Sequence, residues 1–166
     1  MTPSEEAVVE RLATLGVEYA RYEHPPVATA ADAEVQWAGI DATHVKNLFL
    51  RNQRGDRHYL VIALASTRVD LRRVADQIGD GKLSFASPER LLEHLGVAPG
   101  AVSPFGLLHD PSRRVKVFVD RDLQHAARLL LHPNVNTVTL VVSFADFERF
   151  VADCGHAVRF IDVVAV

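Results

Sequence analysis

The chain has 166 residues, of which 48% are hydrophobic and 23% are charged, and its formal net charge is −3. This length and composition suit one globular domain with a substantial core, and no stretch approaches the roughly 18–20 apolar residues that span a bilayer. The polar N-terminus lacks a signal-peptide pattern, and the acidic balance excludes a general nucleic-acid coat but not a local basic patch.

Hydrophobic periodicity and turn residues predict helices and strands along the whole chain. In chain order the predicted elements are helix Glu5–Leu15, strand Val17–Tyr22, helix Thr29–Ala38, strand Thr43–Arg51, strand His58–Leu64, helix Val69–Ile78, strand Lys82–Ala86, a helix from Pro88 that closes at Gly96, strand Val115–Asp120, helix Asp122–Leu131, strand Thr137–Val142, helix Phe144–Cys154 and strand Val158–Val164. Between the fourth helix and the fifth strand, Pro99–Gly106 is predicted to be a loop. Ser4 is the expected cap of the first helix, and Trp37 is an expected core residue. His24 precedes two prolines, which end the first strand.

The alternation of these elements indicates the fold class. The polar turn around Gly55 joins two strands into a hairpin, and helices separate most of the others. We expect a single α/β domain on a mixed, largely antiparallel sheet flanked by helices. Neither GxGxxG nor GxxxxGK[ST] is present, so a doubly wound nucleotide-binding fold fits less well.

Lys46 interrupts the central apolar strand, within the segment VKNLFL. Burial of an unpaired ammonium costs several kcal/mol or removes its proton, so lysine seldom lies inside without a partner. Two interpretations follow. Lys46 either reaches solvent from an edge strand, or it lines a pocket for an anionic or carbonyl-bearing ligand. The later motifs favour the pocket.

Several kinds of chemistry are disfavoured. The eight histidines are scattered and neither HExxH nor CxxC is present, so we expect no catalytic metal and no cofactor. Ser103 lies in a glycine-bearing loop, but Pro104 lacks the amide that follows a serine nucleophile in an oxyanion hole. The single cysteine, Cys154, precludes an internal disulfide, indicates a reducing compartment and fits a structural thiol on an amphipathic helix.

The remaining candidates are Lys46, Asn47, His132 and the loop Pro99–Gly106. Such a set can hold an ester carbonyl and a water without a covalent nucleophile. His132 also has a simpler interpretation, as a helix-end histidine bonded to the backbone. The arginines near the third helix also have two interpretations. They either form a solvated helix face or contact phosphates.

Five segments, VKNLFL, GKLSFAS, GAVSPFGLLHD, HPNVNT and DFERFVADCGH, occur in an order and spacing that resemble the YbaK-like aminoacyl-tRNA deacylase superfamily. Within it, the chain is most similar to the free-standing prolyl-tRNA editing proteins, ProX and PrdX, and their alanine-specific branch, ProXp-ala. The similarity extends from about Tyr19 to the C-terminus. It implies one editing domain over residues 1–166, with a mixed sheet or partial barrel.

The resemblance implies a hydrolase that cleaves the ester of mischarged tRNA, in trans to the synthetase. A synthetase pocket made for proline cannot strongly reject alanine, because one missing methylene is worth only about 1–3 kcal/mol. The implied reaction is attack of water on alanyl-tRNA(Pro), with the terminal 2′-hydroxyl as a candidate assistant. Cysteinyl- or seryl-tRNA deacylation and a non-catalytic tRNA- or synthetase-binding module remain alternatives.

The resemblance also implies partners and a location. The expected partner is the acceptor end of tRNA(Pro) carrying alanine, with prolyl-tRNA synthetase or elongation factor as candidate transient partners. We expect a cytoplasmic protein without a membrane association.

The family's motifs map onto individual positions. Its lysine, GxxxP loop and histidine before proline fall on Lys46, Gly100–Pro104 and His132. The loop backbone would hold the aminoacyl group, and Lys46 would neutralise the ester or the terminal ribose-phosphate region. Lys46, Gly100 and His132 are therefore the predicted catalytic residues. The predicted pocket wall comprises Asn47, Ala101, Val102, Ser103, Pro104 and Asn136. The predicted tRNA contacts are Arg68, Arg72, Arg73, Lys82, Arg113, Arg114 and Lys116.

Overall fold

The long strand β2 lies at the centre of the molecule, which we describe from a computed structural model for residues 1–27 and 30–166. Two 3-10 turns cover Pro104–His109 and Arg121–His125. The helices are α1 Pro3–Leu15, α2 Ala30–Trp37, α3 Leu71–Ile78, α4 Pro88–Leu95 and α5 Phe144–Asp153. The strands are β1 Ala20–Glu23, β2 Thr43–Asn52, β3 His58–Leu64, β4 Leu83–Phe85, β5 Val115–Asp120, β6 Arg128–Leu131, β7 Val138–Ser143 and β8 Val158–Ile161.

The strands form one open sheet in the order β1-β7-β6-β2-β3-β5-β8, with β4 paired to β2 beyond the main path. Within the described ranges, the pairs β1–β7, β6–β7, β2–β3 and β2–β4 are antiparallel, and the pairs β2–β6, β3–β5 and β5–β8 are parallel. The expected single α/β domain with a mixed sheet is confirmed, and the sheet does not close into a barrel.

Alternation along the strands divides the buried side chains between the two faces of this sheet. On β2, Phe49 belongs to the larger core, which also contains residues of α1, α4 and α5. Its neighbour Leu50 belongs to a smaller core, which α3 covers with Val74 and Ala75. Consequently Lys46, four residues before Leu50, is directed to the face that carries the smaller core.

Helix starts follow the expected capping chemistry. Ser87 caps α4 by accepting a hydrogen bond from the amide of Arg90, and Ser143 caps α5 through the amide of Asp146. The first helix begins slightly earlier than predicted, because Thr2 and not Ser4 is its cap. For α2 the predicted start, Thr29, lies outside the described residues.

The predicted helix Asp122–Leu131 is wrong. Asp120 caps a short 3-10 turn through the amide of Asp122, and the chain then becomes strand β6. Leu129 and Leu131 are buried in the larger core, with β6 paired to β2 on one side and β7 on the other. Pairing on both sides and burial in the sheet therefore override the helical propensity of this leucine-rich segment.

The described part of the chain contains no helix long and apolar enough to cross a membrane.

Candidate active site

Strands β2 and β6 pair over a short distance and then separate. They pair as parallel strands at Thr43 opposite Leu129 and at His44 opposite Leu130. β6 then ends, while β2 continues along β3 with Lys46 opposite Ala63. We call the space beyond the paired residues of β2 and β6 the opening. Extending the β2–β6 register by two residues places Lys46 beside His132, so on this register the two predicted catalytic residues flank the opening.

Lys46 is held by one hydrogen bond from its ammonium to the carbonyl oxygen of Thr67, in the loop that leads to α3. The side chain is half-buried. An ammonium has three donors, so this tether leaves two for a ligand. The arrangement combines features of the two earlier interpretations, because the side chain is half-buried while its charged end reaches a loop.

His132 presents one ring nitrogen as an acceptor. Its Nδ1 lies 2.9 Å from the carbonyl oxygen of Val138, and since a carbonyl only accepts, Nδ1 carries the proton. In the neutral ring Nε2 therefore has a free lone pair. Burial lowers the pKa of His132, the bond to Val138 opposes that shift, and the neighbouring ring of His24 lowers the pKa further.

Trp37 of α2 joins His132 to two other histidines that the sequence analysis did not select. The centre of its indole lies 5.2 Å from the ring of His44, 5.9 Å from His132 and 6.2 Å from His24. Trp37 was predicted to be a core residue, but it is half-buried and packs among these imidazoles. The only sequence signal for the group was His24 before a proline pair.

Thr139 of β7 orients this cluster. The indole nitrogen of Trp37 donates to the Thr139 hydroxyl oxygen at 3.2 Å, and that hydroxyl lies 2.8 Å from Nε2 of His24. Nδ1 of His24 lies 2.8 Å from the carbonyl oxygen of Pro25, so Nδ1 is the donor and Nε2 of the neutral ring accepts from Thr139. The chain of bonds from Trp37 through Thr139 to His24 thereby positions the rings around His132.

The loop Gly100–Pro104 approaches the segment between β6 and β7 at Asn136. Gly100 is exposed with a φ of +90°, and a methyl group built on it would lie 3.9 Å from the amide nitrogen of Asn136. Ala101, Ser103 and Pro104 are buried, and only Val102 of the remaining loop side chains is partly exposed.

The Ser103 side chain forms a hydrogen bond within the loop itself. Its hydroxyl accepts a hydrogen bond from the amide of Phe105 at 3.1 Å and caps the following 3-10 turn, and the residue is completely buried. Ser103 and Pro104, which were predicted to line the pocket wall, are both buried, and that role stays a prediction. These two residues stabilise the loop, and Gly100 presents its backbone.

Two asparagines near the opening have unused hydrogen-bonding atoms. Among the described residues, Oδ1 of Asn47 and both polar side-chain atoms of Asn134 are buried without a partner. Asn134 also has a φ of +62°, a conformation that asparagine tolerates better than most residues. A buried polar group without a partner is costly, so both side chains are candidates to bind a ligand. Sequence analysis selected Asn47 and Asn136 but missed Asn134.

The basic residues predicted to contact tRNA lie in separate places. Arg68 directly follows Thr67 and so lies next to the Lys46 tether, and Arg72 is exposed on α3. Arg73 is paired with Asp162 at 3.4 Å, and Arg114 with Glu93 at 3.6 Å.

The remaining predicted contacts form two groups. Lys82 borders a cleft that Arg72, Asp76 and Asp80 also line. Arg113 and Lys116 line a small cavity at the start of β5. Arg72 and Lys82 thus lie together, apart from Arg113 and Lys116.

The Cys154 thiol is not activated as a nucleophile. Burial raises the pKa of the Cys154 thiol to about 11, so the nucleophilic thiolate is scarce at neutral pH. Among the described residues, no three histidine, cysteine or carboxylate side chains come together in a group that could hold a metal ion.

The rate of any reaction that uses the free nitrogen of His132 should fall in acid. Burial lowers the pKa of His132 below its ordinary value, so the neutral ring is the main form at pH 6.5 and the proton is gained mainly at lower pH. We expect kcat/KM to decrease as the pH falls below 6.5. The assay follows hydrolysis of aminoacyl-tRNA, with the spontaneous hydrolysis subtracted. In His132→Gln this acid limb should disappear, whereas His125→Gln, at an exposed position, should retain it. An unchanged limb in His132→Gln would contradict this assignment.

Comparisons with known proteins were made for the whole chain. Residues 24–150 match the family described as the aminoacyl-tRNA editing domain. The prolyl-tRNA editing protein ProX of Acetoanaerobium sticklandii is 40% identical over 161 residues, which cover 96% of this chain and 98% of that protein. The prolyl-tRNA synthetase associated domain-containing protein 1 of Bos taurus is 32% identical and covers 90% of each chain.

Solved structures have the same fold. A crystal structure described as a candidate trans-editing enzyme for prolyl-tRNA synthetase matches with a TM-score of 0.74 and 24% identity, over 100% of this chain and 99% of the other. The crystal structure of a hypothetical protein, APE2540, matches with a TM-score of 0.71 and 20% identity, over 93% and 97%.

Proposed function

Because the chain belongs to the family of aminoacyl-tRNA editing domains, we propose that it removes alanine from mischarged tRNA(Pro), in trans to the synthetase. Family membership makes the chain a hydrolase of aminoacyl-tRNA esters. The name of the relative ProX supports tRNA(Pro) as the substrate. The observation that supports the catalytic part most directly is the opening between β2 and β6, with Lys46 on one wall and His132 on the other.

In this proposal the ester carbonyl lies between Lys46 and the loop at Gly100. Water attacks the carbonyl carbon, and negative charge develops on the carbonyl oxygen. The free donors of the Lys46 ammonium stabilise that charge, as preorganised donors do in other ester-cleaving sites. The fixed position of the Lys46 tether means that little reorganisation is needed during the reaction.

His132 acts on the water. Its Nε2 lone pair accepts the proton as the new carbon–oxygen bond forms, and the bond from Nδ1 to Val138 keeps the ring in the required tautomer. The bond between the carbonyl carbon and the ribose oxygen then breaks, and that oxygen takes the proton. The products are free amino acid and tRNA with an intact 3′ end. Asn47 and Asn134 are proposed to satisfy their buried amides with polar atoms of the substrate.

Selectivity is proposed to come from a rigid wall. The Gly100 backbone lies close to Asn136, and the adjacent loop is fixed by the buried Ala101, Ser103 and Pro104. A wall that cannot move excludes the pyrrolidine ring of proline, because overpacking a tight site typically costs about 1–3 kcal/mol. Correct prolyl-tRNA(Pro) would thereby escape hydrolysis.

The decisive experiment follows ester loss from alanyl-, cysteinyl-, seryl- and prolyl-tRNA(Pro) with the pure protein. We expect alanyl-tRNA(Pro) to be hydrolysed at least about tenfold faster than prolyl-tRNA(Pro), equivalent to about 1.4 kcal/mol of discrimination. Equal rates for both esters would contradict steric exclusion. Fastest cleavage of the cysteinyl or seryl ester would assign a sister specificity, and no cleavage of any ester would indicate a binding module.

A further inference from the structure

A small pocket lies where β5 begins and the chain turns into β8. Its volume is about 130 Å³, well below the roughly 300–1,000 Å³ of pockets that enclose drug-sized ligands. Three of its lining side chains are the cations Arg113, Lys116 and Arg159, and no carboxylate lines it. The remaining lining residues are Val115, Val117, Gly155, His156 and Ala157. A cavity of this size and charge suits one small anionic group.

The three cations are available to a ligand. Within the described residues, none of Arg113, Lys116 and Arg159 forms an ion pair. Nearby arginines differ in this respect, since Arg114 pairs with Glu93 and Arg121 pairs with Asp162 at 3.1 Å. The pocket therefore concentrates positive charge that no neighbouring carboxylate neutralises.

Arg113 is held in place over the pocket. Its φ is +59°, which is unusual for a residue other than glycine. A methyl group built on Gly155 would lie 3.3 Å from Cδ of Arg113, so the arginine stem rests on the glycine backbone. Underneath, His156 donates to Asp110 at 2.8 Å, and both side chains are buried. Strained residues that rigid surroundings hold in place occur mainly at ligand sites, which points to binding here.

The pocket and Lys46 lie on the same face of the sheet, which α3 partly covers. On β3, the residue opposite Lys46 is Ala63 and the residue opposite Lys116 is Tyr59. These β3 residues are four apart, so both lysines are on the same face of the sheet. With about 3.3 Å per residue and 4.8 Å between strands, the lysines lie roughly 16 Å apart. Two cations this far apart would contact different phosphates of one RNA.

We propose that this pocket binds a backbone phosphate of the tRNA acceptor stem, some nucleotides away from the ester. The inference rests on the proposed function, because an RNA must already occupy the opening beside Lys46. It assigns Arg159, which the sequence analysis did not select, to the same contact as Arg113 and Lys116. The ligand chemistry is a phosphate, and its source is the RNA backbone.

The test compares two triple variants in binding uncharged tRNA(Pro) over a range of salt concentrations. Arg113→Gln, Lys116→Gln and Arg159→Gln together should weaken binding at low salt at least about tenfold, and should reduce the slope of log K against log salt by about 2. The control combines Arg54→Gln, Arg121→Gln and Arg149→Gln, with the same change in net charge at exposed positions. Melting curves establish that both triple variants are folded. The proposal is overturned if both triple variants lose the same factor in tRNA affinity, or if the pocket triple variant keeps the wild-type affinity.

Two further measurements separate this pocket from the catalytic site and from a free-anion site. The pocket triple should lose part of the preference for alanyl-tRNA(Pro) over the alanyl ester of a CCA trinucleotide. If the wild type cleaves neither ester, the proposed function fails, while tRNA binding still decides the phosphate contact. The second measurement tests binding of inorganic phosphate to the wild type at constant ionic strength. If phosphate binds and the pocket triple variant keeps the wild-type affinity for tRNA, the pocket is a free-phosphate site and the RNA assignment is rejected.

Discussion

Replacing Lys46 by alanine should lower the deacylation rate by roughly 10²–10³-fold, the usual effect of removing one donor that stabilises a developing oxyanion. The ammonium is the charged group at the opening between β2 and β6, and its tether to Thr67 fixes its position. Lys46→Gln should lose a similar factor, because the amide can still reach toward Thr67 but carries no charge. Single-turnover hydrolysis of alanyl-tRNA(Pro) measures both variants.

The matched control for Lys46 lies on the same strand. Arg51 is also half-buried on β2 and also donates to a main-chain carbonyl, that of Asn52 at 3.1 Å. Arg51→Ala should therefore reproduce any general effect of losing a cation from β2, but should retain activity. Circular dichroism and thermal melting establish that each variant is folded. If folded Lys46→Ala keeps nearly wild-type activity, Lys46 is a surface lysine without a catalytic role, and the proposed mechanism is wrong.

Asp110→Ala should be among the most destabilising single substitutions in the chain, at about 3–5 kcal/mol, because it breaks a buried polar pair. Asp110 accepts hydrogen bonds from the His156 ring at 2.8 Å and from the amides of Val115 and Arg114 at 2.8 and 3.1 Å. The variant would leave these donors buried without an acceptor. We expect the Tm to fall by about 10 °C or more, as measured by calorimetry.

The pH dependence of this effect follows from the Asp110 pKa. Burial alone would raise that pKa, but the hydrogen bonds from His156, Val115 and Arg114 outweigh burial and hold it below the ordinary value of 3.8. The contribution to stability is therefore complete above pH 3.8 and is lost as the pH falls through the lowered pKa. The difference in Tm between wild type and variant should be constant from pH 5 to 8.

An exposed aspartate provides the comparison for Asp110. Asp153 pairs with Arg11 at 2.9 Å, but both side chains are more than a third exposed. Asp153→Ala should cost no more than about 1 kcal/mol, because solvent screens exposed ion pairs. If Asp153→Ala and Asp110→Ala lower the Tm by the same amount, burial does not determine how much stability the loss of an aspartate costs.

Local sequence determined several elements with accurate bounds. Strands β3 and β5 were predicted at His58–Leu64 and Val115–Asp120, the bounds that the structure has. Both are short runs rich in β-branched residues with turn residues at their ends, so local propensity and burial favour the same conformation. The start of α4 was equally clear, because Ser87 accepts a hydrogen bond from an otherwise free amide and Pro88 has no amide hydrogen that needs a partner.

The family motifs are also local, and they are sufficient by themselves to select Lys46 and His132. What the motifs do not contain is the position of these two residues relative to each other. They are separated by 86 positions in the sequence, and the parallel pairing of β2 with β6 brings them together. That same pairing turns the predicted helix over Asp122–Leu131 into strand β6, since burial between two strands outweighs helical propensity.

Tertiary structure alone decided the environment of each side chain. The arginines next to each other at 113 and 114 look alike in sequence, yet one lies over a cavity and the other pairs with Glu93. Trp37, predicted as core, lies among three imidazoles that come from other parts of the chain. Composition and periodicity report which residues tend to be buried, but the distances that give a side chain its chemistry depend on contacts between residues far apart in sequence.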